Sequence, residues 1–222
     1  MEKKPKKVDA RAERRVQTAL EQRTRTRAAI LDATFQVLGH ENGRLARIDD
    51  VVRIAKIARP TFYTYFSSMD ELFAALSYEL SLDANFKALT YGATMKSAAE
   101  ETSAAIRYHL GRTQEDAKWG WGMVNISVGG PIFGAEIHAA CTATVQWGID
   151  SGLFKIEDGR IGRDMVLGTG LAAMKTILTT PPQKNYPAQV ARQILMGLGL
   201  TAAKADKLVA QPLPPILSEP AA

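Results

Sequence analysis

Asp49-Asp50-Val51-Val52-Arg53-Ile54-Ala55-Lys56-Ile57-Ala58-Arg59-Pro60-Thr61-Phe62-Tyr63-Thr64-Tyr65-Phe66 is the stretch that decides the fold. Ile48, Val51, Val52 and Ala55 recur at i, i+3, i+4 and i+7, the apolar stripe of a two-turn helix. Lys56-Ile57-Ala58 breaks that rhythm, and Pro60 suits only the first turn of a new helix. Phe62 and Phe66, at i and i+4, close a small core with Ile57, Val51 and Val52. Arg59, Thr61, Tyr63, Thr64 and Tyr65 are left on the other sides. A compact helix pair whose second member shows hydroxyls, aromatics and a guanidinium suits a DNA major groove.

The stretch resembles the helix-turn-helix of TetR-family transcriptional repressors. The matching positions are Ile48, Val51, Ala55, Ile57, Thr61, Phe62, Tyr63, Phe66, Ser68 and Leu72, within roughly residues 24–75. Arg47 stands where a Thr is usual, Lys56 where the turn has Gly, Ala58 where a Ser caps the second helix, Tyr65 for His and Met69 for Lys. Losing the Ser forfeits a cap of typically ~1 kcal/mol, and losing the Gly pushes Lys56 toward a left-handed conformation. The resemblance implies a DNA-facing set of Arg47, Arg59, Pro60, Thr61, Tyr63, Thr64, Tyr65 and Ser68. Within it, Tyr63 and Tyr65 would lie on phosphates and Arg59 or Thr61 nearest base edges.

Charge distribution agrees. Residues 1–60 hold 15 Lys and Arg against 8 Asp and Glu, whereas residues 61–222 hold 13 against 15. The positive charge thus surrounds the reader helices, where phosphates would lie. Lys3, Lys4, Lys6, Lys7, Arg11, Arg14 and Arg15 make residues 1–23 a basic arm, disordered at first and helical from about Ala10. A helix follows over Thr24–Leu38, burying Ile30, Leu31, Thr34, Phe35 and Leu38. Ser68 with Glu71 is a capping box that starts the next helix, which Leu72, Phe73, Leu76 and Leu80 carry toward Leu89.

Beyond Thr94 every long segment has helical rhythm, with helices expected near 95–111, 116–127, 132–151, 159–179, 187–199 and 201–210. Residues 76–210 then form a ligand-binding and dimerisation domain, and 211–222 a Pro-rich, non-helical tail. The fold expected is all-α: a helix-turn-helix head on a larger helical bundle that dimerises.

Several chemistries are excluded. Cys141 is the lone cysteine, so no intrachain disulfide forms and a reduced, cytoplasmic setting fits. No apolar run approaches the roughly 20 residues that span a bilayer, and no signal peptide is legible. Gly168-x-Gly170-x-x-Ala173 lacks the preceding strand and the later acid of a dinucleotide fingerprint, so close helix packing explains it better. No nucleophile–base pair and no metal-ligand spacing stands out, so neither catalysis nor a cofactor is expected.

The resemblance implies an effector cavity in the bundle. The aromatics and the polar groups among them nominate His109, Trp119, Trp121, Met123, Phe133, His138, Cys141, Thr142 and Trp147. A two-fold interface is expected from the helices near 159–179 and 187–199, through Met165, Gly168, Leu171, Ala172, Val190, Ile194 and Leu198. Expected partners are palindromic double-stranded DNA, a second copy of the chain and a small apolar or amphipathic effector, with no membrane. A constitutive architectural DNA binder without a ligand is the alternative.

Overall fold

The computed structural model describes residues 10–92, 95–181 and 185–213, with no side chains described at 10, 12 or 83–92. Most of the basic Lys cluster and of the Pro-rich tail lies outside these residues. Ten α-helices and no strands occur among them. The head comprises α1 (Ala10–Leu38), α2 (Ile48–Ala55) and α3 (Arg59–Tyr63). The connecting helix is α4 (Met69–Gly92). The bundle comprises α5 (Ala98–Glu115), α6 (Ala117–Ile126), α7 (Ala135–Asp150), α8 (Gly159–Thr179), α9 (Tyr186–Gly197) and α10 (Ala202–Val209). No helix among the described residues is long and apolar enough to cross a membrane.

The head closes on Ile30, Leu31, Thr34 and Leu38 of α1, Val51 of α2, and Phe62 and Phe66, all buried. The two phenylalanine rings meet at 6.1 Å between centroids. Phe35 is the exception on the expected α1 face: it is half-buried, turned toward α6 under the Lys118 ammonium at 5.4 Å. At the turn, Lys56 adopts φ 54°, ψ 43°, the left-handed geometry that the missing glycine would have taken without strain. Ala58 occupies the N-cap of α3 with no side-chain bond, as its lack of a hydroxyl dictates.

α4 belongs to both halves, packing against α1 on the head side and α5, α6 and α7 on the bundle side. Its start differs in detail from the expected capping box. Ser68 Oγ accepts the Glu71 N–H at 3.2 Å, but the Glu71 carboxylate reaches one residue further back, to the N–H and hydroxyl of Ser67 at 2.7 and 2.6 Å.

The expected interface needs a correction. Val190, Ile194 and Leu198 are buried within the chain, because α9 packs against α5, α8 and α10 and buries its aliphatic face there. They are not available to a partner. On α8, Met165, Gly168 and Leu171 are half-buried and Ala172 is exposed. Ile161 (57% exposed), Met165, Gly168 and Ala172 fall at i, i+4, i+7 and i+11, one stripe along the helix. A Cβ built on Gly168 would meet nothing within 4 Å, so this stripe is open.

Candidate DNA-reading head and ligand cavity

At the head, Arg59, Pro60, Tyr63 and Thr64 are exposed on or just after α3. Arg59 Nη1 lies 2.9 Å from Asp49 Oδ1 on α2, and hydrogen bonding to Tyr63, with the Asp49 charge, pushes its pKa higher still. The guanidinium is therefore held between the two reader helices. Thr64 donates its hydroxyl proton to the Thr61 carbonyl at 2.6 Å. Thr61 and Tyr65 are only half-exposed, and Tyr65 packs its ring against the core. Arg47 is exposed at the start of α2, where its N–H donates to Asp50 Oδ2 at 3.0 Å. Ser68 caps α4. Of the expected set, Arg47, Arg59, Pro60, Tyr63 and Thr64 are exposed, whereas Thr61, Tyr65 and Ser68 are half-buried.

In the bundle, α5, α7 and α8 enclose a cavity of about 100 Å³. Its walls are α5 (Glu101, Thr102, Ala105, Ile106, His109, Leu110), α7 (Ile137, Ala140, Cys141, Thr144) and α8 (Val166, Leu167, Gly170, Met174), with Phe133 from the turn before α7. Each helix contributes residues at i, i+3, i+4 or i+7 spacing, one continuous face. Gly170 faces the Phe133 ring, where a Cβ would sit 3.6 Å away in ordinary contact.

Two groups on the wall are strongly perturbed. His109 Nδ1 lies 2.7 Å from the Ala105 carbonyl, and a carbonyl only accepts, so Nδ1 carries the proton. Nε2 is then a lone pair, buried without a hydrogen-bond partner among the described residues. Burial, assisted by the Arg112 charge, pushes the His109 pKa down to about 4 against the opposing Ala105 bond. The Cys141 thiol is pushed up to about 12, chiefly by burial, and stays protonated. Across the cavity, Thr144 donates its hydroxyl to Glu101 Oε1 at 2.6 Å.

The cavity wall is tied by hydrogen bonds to the helix that carries the head. Phe133 is buried with φ 62°, a conformation that strains a bulky residue, and its N–H donates to Ser127 Oγ at 3.0 Å. Gly134 follows at φ 88°, and a Cβ on it would lie 2.7 Å from that of Ser81, so both backbone angle and space require glycine here. The close approach lets the fully buried Ser81 hydroxyl of α4 accept the Glu136 and Ile137 N–H groups, both at 3.1 Å. These are free donors of the first turn of α7. A second link joins α6 to the head: Asn125 Nδ2 donates to the Leu38 and His40 carbonyls at 2.7 and 2.9 Å.

Two family profiles match this chain: "Bacterial regulatory proteins, tetR family" over residues 30–76, and "Tetracyclin repressor-like, C-terminal domain" over residues 97–211. The chain belongs to the TetR family. It is a transcriptional regulator with a DNA-binding helix-turn-helix. Among curated proteins nothing matches its sequence. Among solved structures, RolR in complex with resorcinol superposes with a TM-score of 0.72 at 22% identity, over 89% of this chain and 100% of that one. FadR from Bacillus subtilis in complex with stearoyl-CoA gives 0.63 at 19% identity, over 77% of this chain and 96% of that one. At such identities the likeness speaks for the shared fold.

Of the ligand residues expected in this TetR-family bundle, His109, Phe133 and Cys141 line the cavity and the other six do not. Trp119 is buried behind it, stacked on His109 at 6.0 Å, and Met123 is fully buried in the core. Trp121 is half-buried on α6, which does not border the space. His138 and Thr142 fall on the next face of α7, where Thr142 donates to the His138 carbonyl at 2.8 Å, and Trp147 is 40% exposed. Aromatic density takes no account of helical phase, which decides which side chains face the cavity. The phase of α5 and α8, with small residues at 105 and 170, is the signal that identifies the wall.

Proposed function

We propose that this TetR-family regulator is a repressor whose dimer grips a palindromic operator and which a small ligand, held among α5, α7 and α8, releases. The observation that carries the reading is the shared wall. Ile137 lines the cavity, and its own N–H is held by Ser81 of the helix that carries the head. A ligand that displaces Phe133 or Ile137 shifts the start of α7, and through Ser81 it tilts α4 and resets the spacing of two heads. The ligand must favour one arrangement over the other; a difference of ~1–3 kcal/mol is typical of such coupling. The cavity, about 100 Å³, is on the scale of a single ring; an engineered dry cavity of about 150 Å³ holds benzene. A ring-sized molecule, resorcinol, is also what the RolR structure holds.

On DNA, α3 enters the major groove, Tyr63 meets a phosphate, and Arg59 leaves Asp49 to reach a guanine edge. Arg59→Ala tests this. It also leaves Asp49 facing the phosphates unpaired, so affinity falls somewhat for every sequence. The diagnostic result is position-specific: discrimination at one operator base pair relaxes by about 1–3 kcal/mol. Competition binding against single-base operator variants reads it. Unchanged discrimination at every position would remove Arg59 from base reading.

A further inference from the structure

Every polar group fixed on the cavity wall offers a lone pair. Glu101 is the one charged residue lining it among the described residues, and its carboxylate only accepts. The Thr144 proton is directed to Glu101 at 2.6 Å, with the Ala140 carbonyl as second acceptor at 3.0 Å, so the Thr144 oxygen also turns a lone pair outward. His109 has committed its single proton to Ala105, and its burial keeps the ring neutral. Cys141 adds only a weak S–H, and the Thr102 hydroxyl rotates to suit what it meets. Among the described residues, no lysine or arginine borders the space. The nearest guanidinium groups are engaged elsewhere: Arg112 lies over the Trp119 ring at 4.3 Å and Arg163 pairs with Asp164 at 2.8 Å.

A wall whose fixed polar groups are mostly acceptors sets the chemistry of a guest. We propose that the cavity selects a small uncharged ring that donates a hydrogen bond, a phenol or an arylamine, and rejects carboxylates. The proposal rests on the reading of this cavity as the ligand site. Glu101 lies eight residues before His109 on α5, so the two acceptors are about 12 Å apart along the helix axis. A donating substituent meets Glu101 and Thr144 at one end, while the ring fills the apolar stretch between Ile106 and Val166. A carboxylate there would face Glu101 with no cation to pair it, and both charges would be desolvated. An ether or a methyl in place of the hydroxyl leaves the acceptors unpaired, a loss that polar sites punish far more than a missing methylene.

Calorimetric titration of the full chain with phenol, aniline, anisole, toluene and benzoate separates the alternatives. The imidazole NMR signals of His109 report whether the ring enters this cavity. Phenol or aniline should bind about tenfold or more tightly than anisole and toluene, with benzoate weakest. Phenol alone binding would narrow the class to hydroxyls, and aniline alone to amines; both outcomes uphold the donor rule. In Glu101→Gln, whose amide can donate, the gap between phenol and anisole should shrink to about threefold. Should that variant fold poorly, Thr144→Val, which strips the Glu101 carboxylate of its internal donor, should instead widen the gap, and an unchanged gap there would count against the donor rule. Anisole matching phenol in the wild type would overturn the donor rule while leaving the cavity as a ligand site. Benzoate as the tightest ligand would overturn it through charge. Failure of all five to perturb His109 would instead remove the cavity reading itself, and this proposal with it.

Discussion

Ala172→Glu should abolish dimerisation and with it tight operator binding, while the single chain stays folded. Ala172 is exposed on α8, in line with Ile161, Met165 and Gly168, so a charge there disturbs nothing inside the chain. Surface changes of this kind usually alter monomer stability by no more than about 0.5 kcal/mol. The same stripe is an apolar surface on α8 left open once α9 has buried Val190, Ile194 and Leu198. If two copies pack their α8 stripes about a two-fold axis, Gly168 and Ala172 let the helices approach closely. Two carboxylates brought together there would be desolvated and mutually repelled, at a cost of about 3–5 kcal/mol. At about 1.4 kcal/mol per decade, operator affinity should fall by roughly a hundredfold or more. Ala172→Ser, small and uncharged, should retain the dimer. Sedimentation at micromolar concentration with circular dichroism checks both. An Ala172→Glu protein that still dimerises would place the two-fold contact elsewhere.

Acid should destabilise this protein in a window set by His109. The folded ring titrates at about 4, against an ordinary value near 6.5, because burial disfavours its charge. Above pH 6.5 the imidazole is neutral in both folded and unfolded chains and contributes nothing to the pH dependence. As pH falls from 6.5 toward 4, the unfolded chain takes up a proton that the folded one refuses, so stability falls with pH. Below about 4 both bind it and the loss is complete, up to about 3 kcal/mol at 1.36 kcal/mol per pKa unit. Denaturant unfolding at a series of pH values should show this slope in the wild type. His109→Phe, which stays in the hydrophobic wall and cannot titrate, should flatten it between pH 6.5 and 4. An equal slope in both proteins would show that the ring is not held neutral by burial.

Much of this was legible in the residues, and the reason differs by element. The helix of residues 159–179 was bounded by its own rhythm and by Pro181, and the structure gives Gly159–Thr179. The left-handed turn at Lys56 was legible because Lys56 stands where the resembled helix-turn-helix has a glycine, the residue that takes this conformation without strain. The cavity was harder. Trp119, Trp121 and Trp147 are conspicuous by type, yet their positions are set by helical phase and by which helix faces which. Trp119 supports the wall from behind, and Trp147 faces outward. Val190, Ile194 and Leu198 looked like interface because their partners on α5 lie some 90 residues away in sequence. Ser81 and Asn125 carry no local pattern at all. A serine mid-helix and an asparagine in an apolar segment acquire meaning only when α7 and the end of α1 arrive beside them.

The central claim is that occupancy of the cavity reaches the heads through Ser81. Ser81→Ala removes the hydroxyl that accepts the Glu136 and Ile137 N–H groups but leaves the cavity walls in place. The direct measurement is operator release, followed by fluorescence anisotropy of a labelled duplex selected from random DNA, as a cavity ligand found by calorimetry is titrated in. Wild type should lose operator affinity by about 5- to 150-fold at saturation. Ser81→Ala should bind the ligand comparably yet release the duplex much less. A wild-type complex that keeps its operator while calorimetry shows the cavity full would contradict the account.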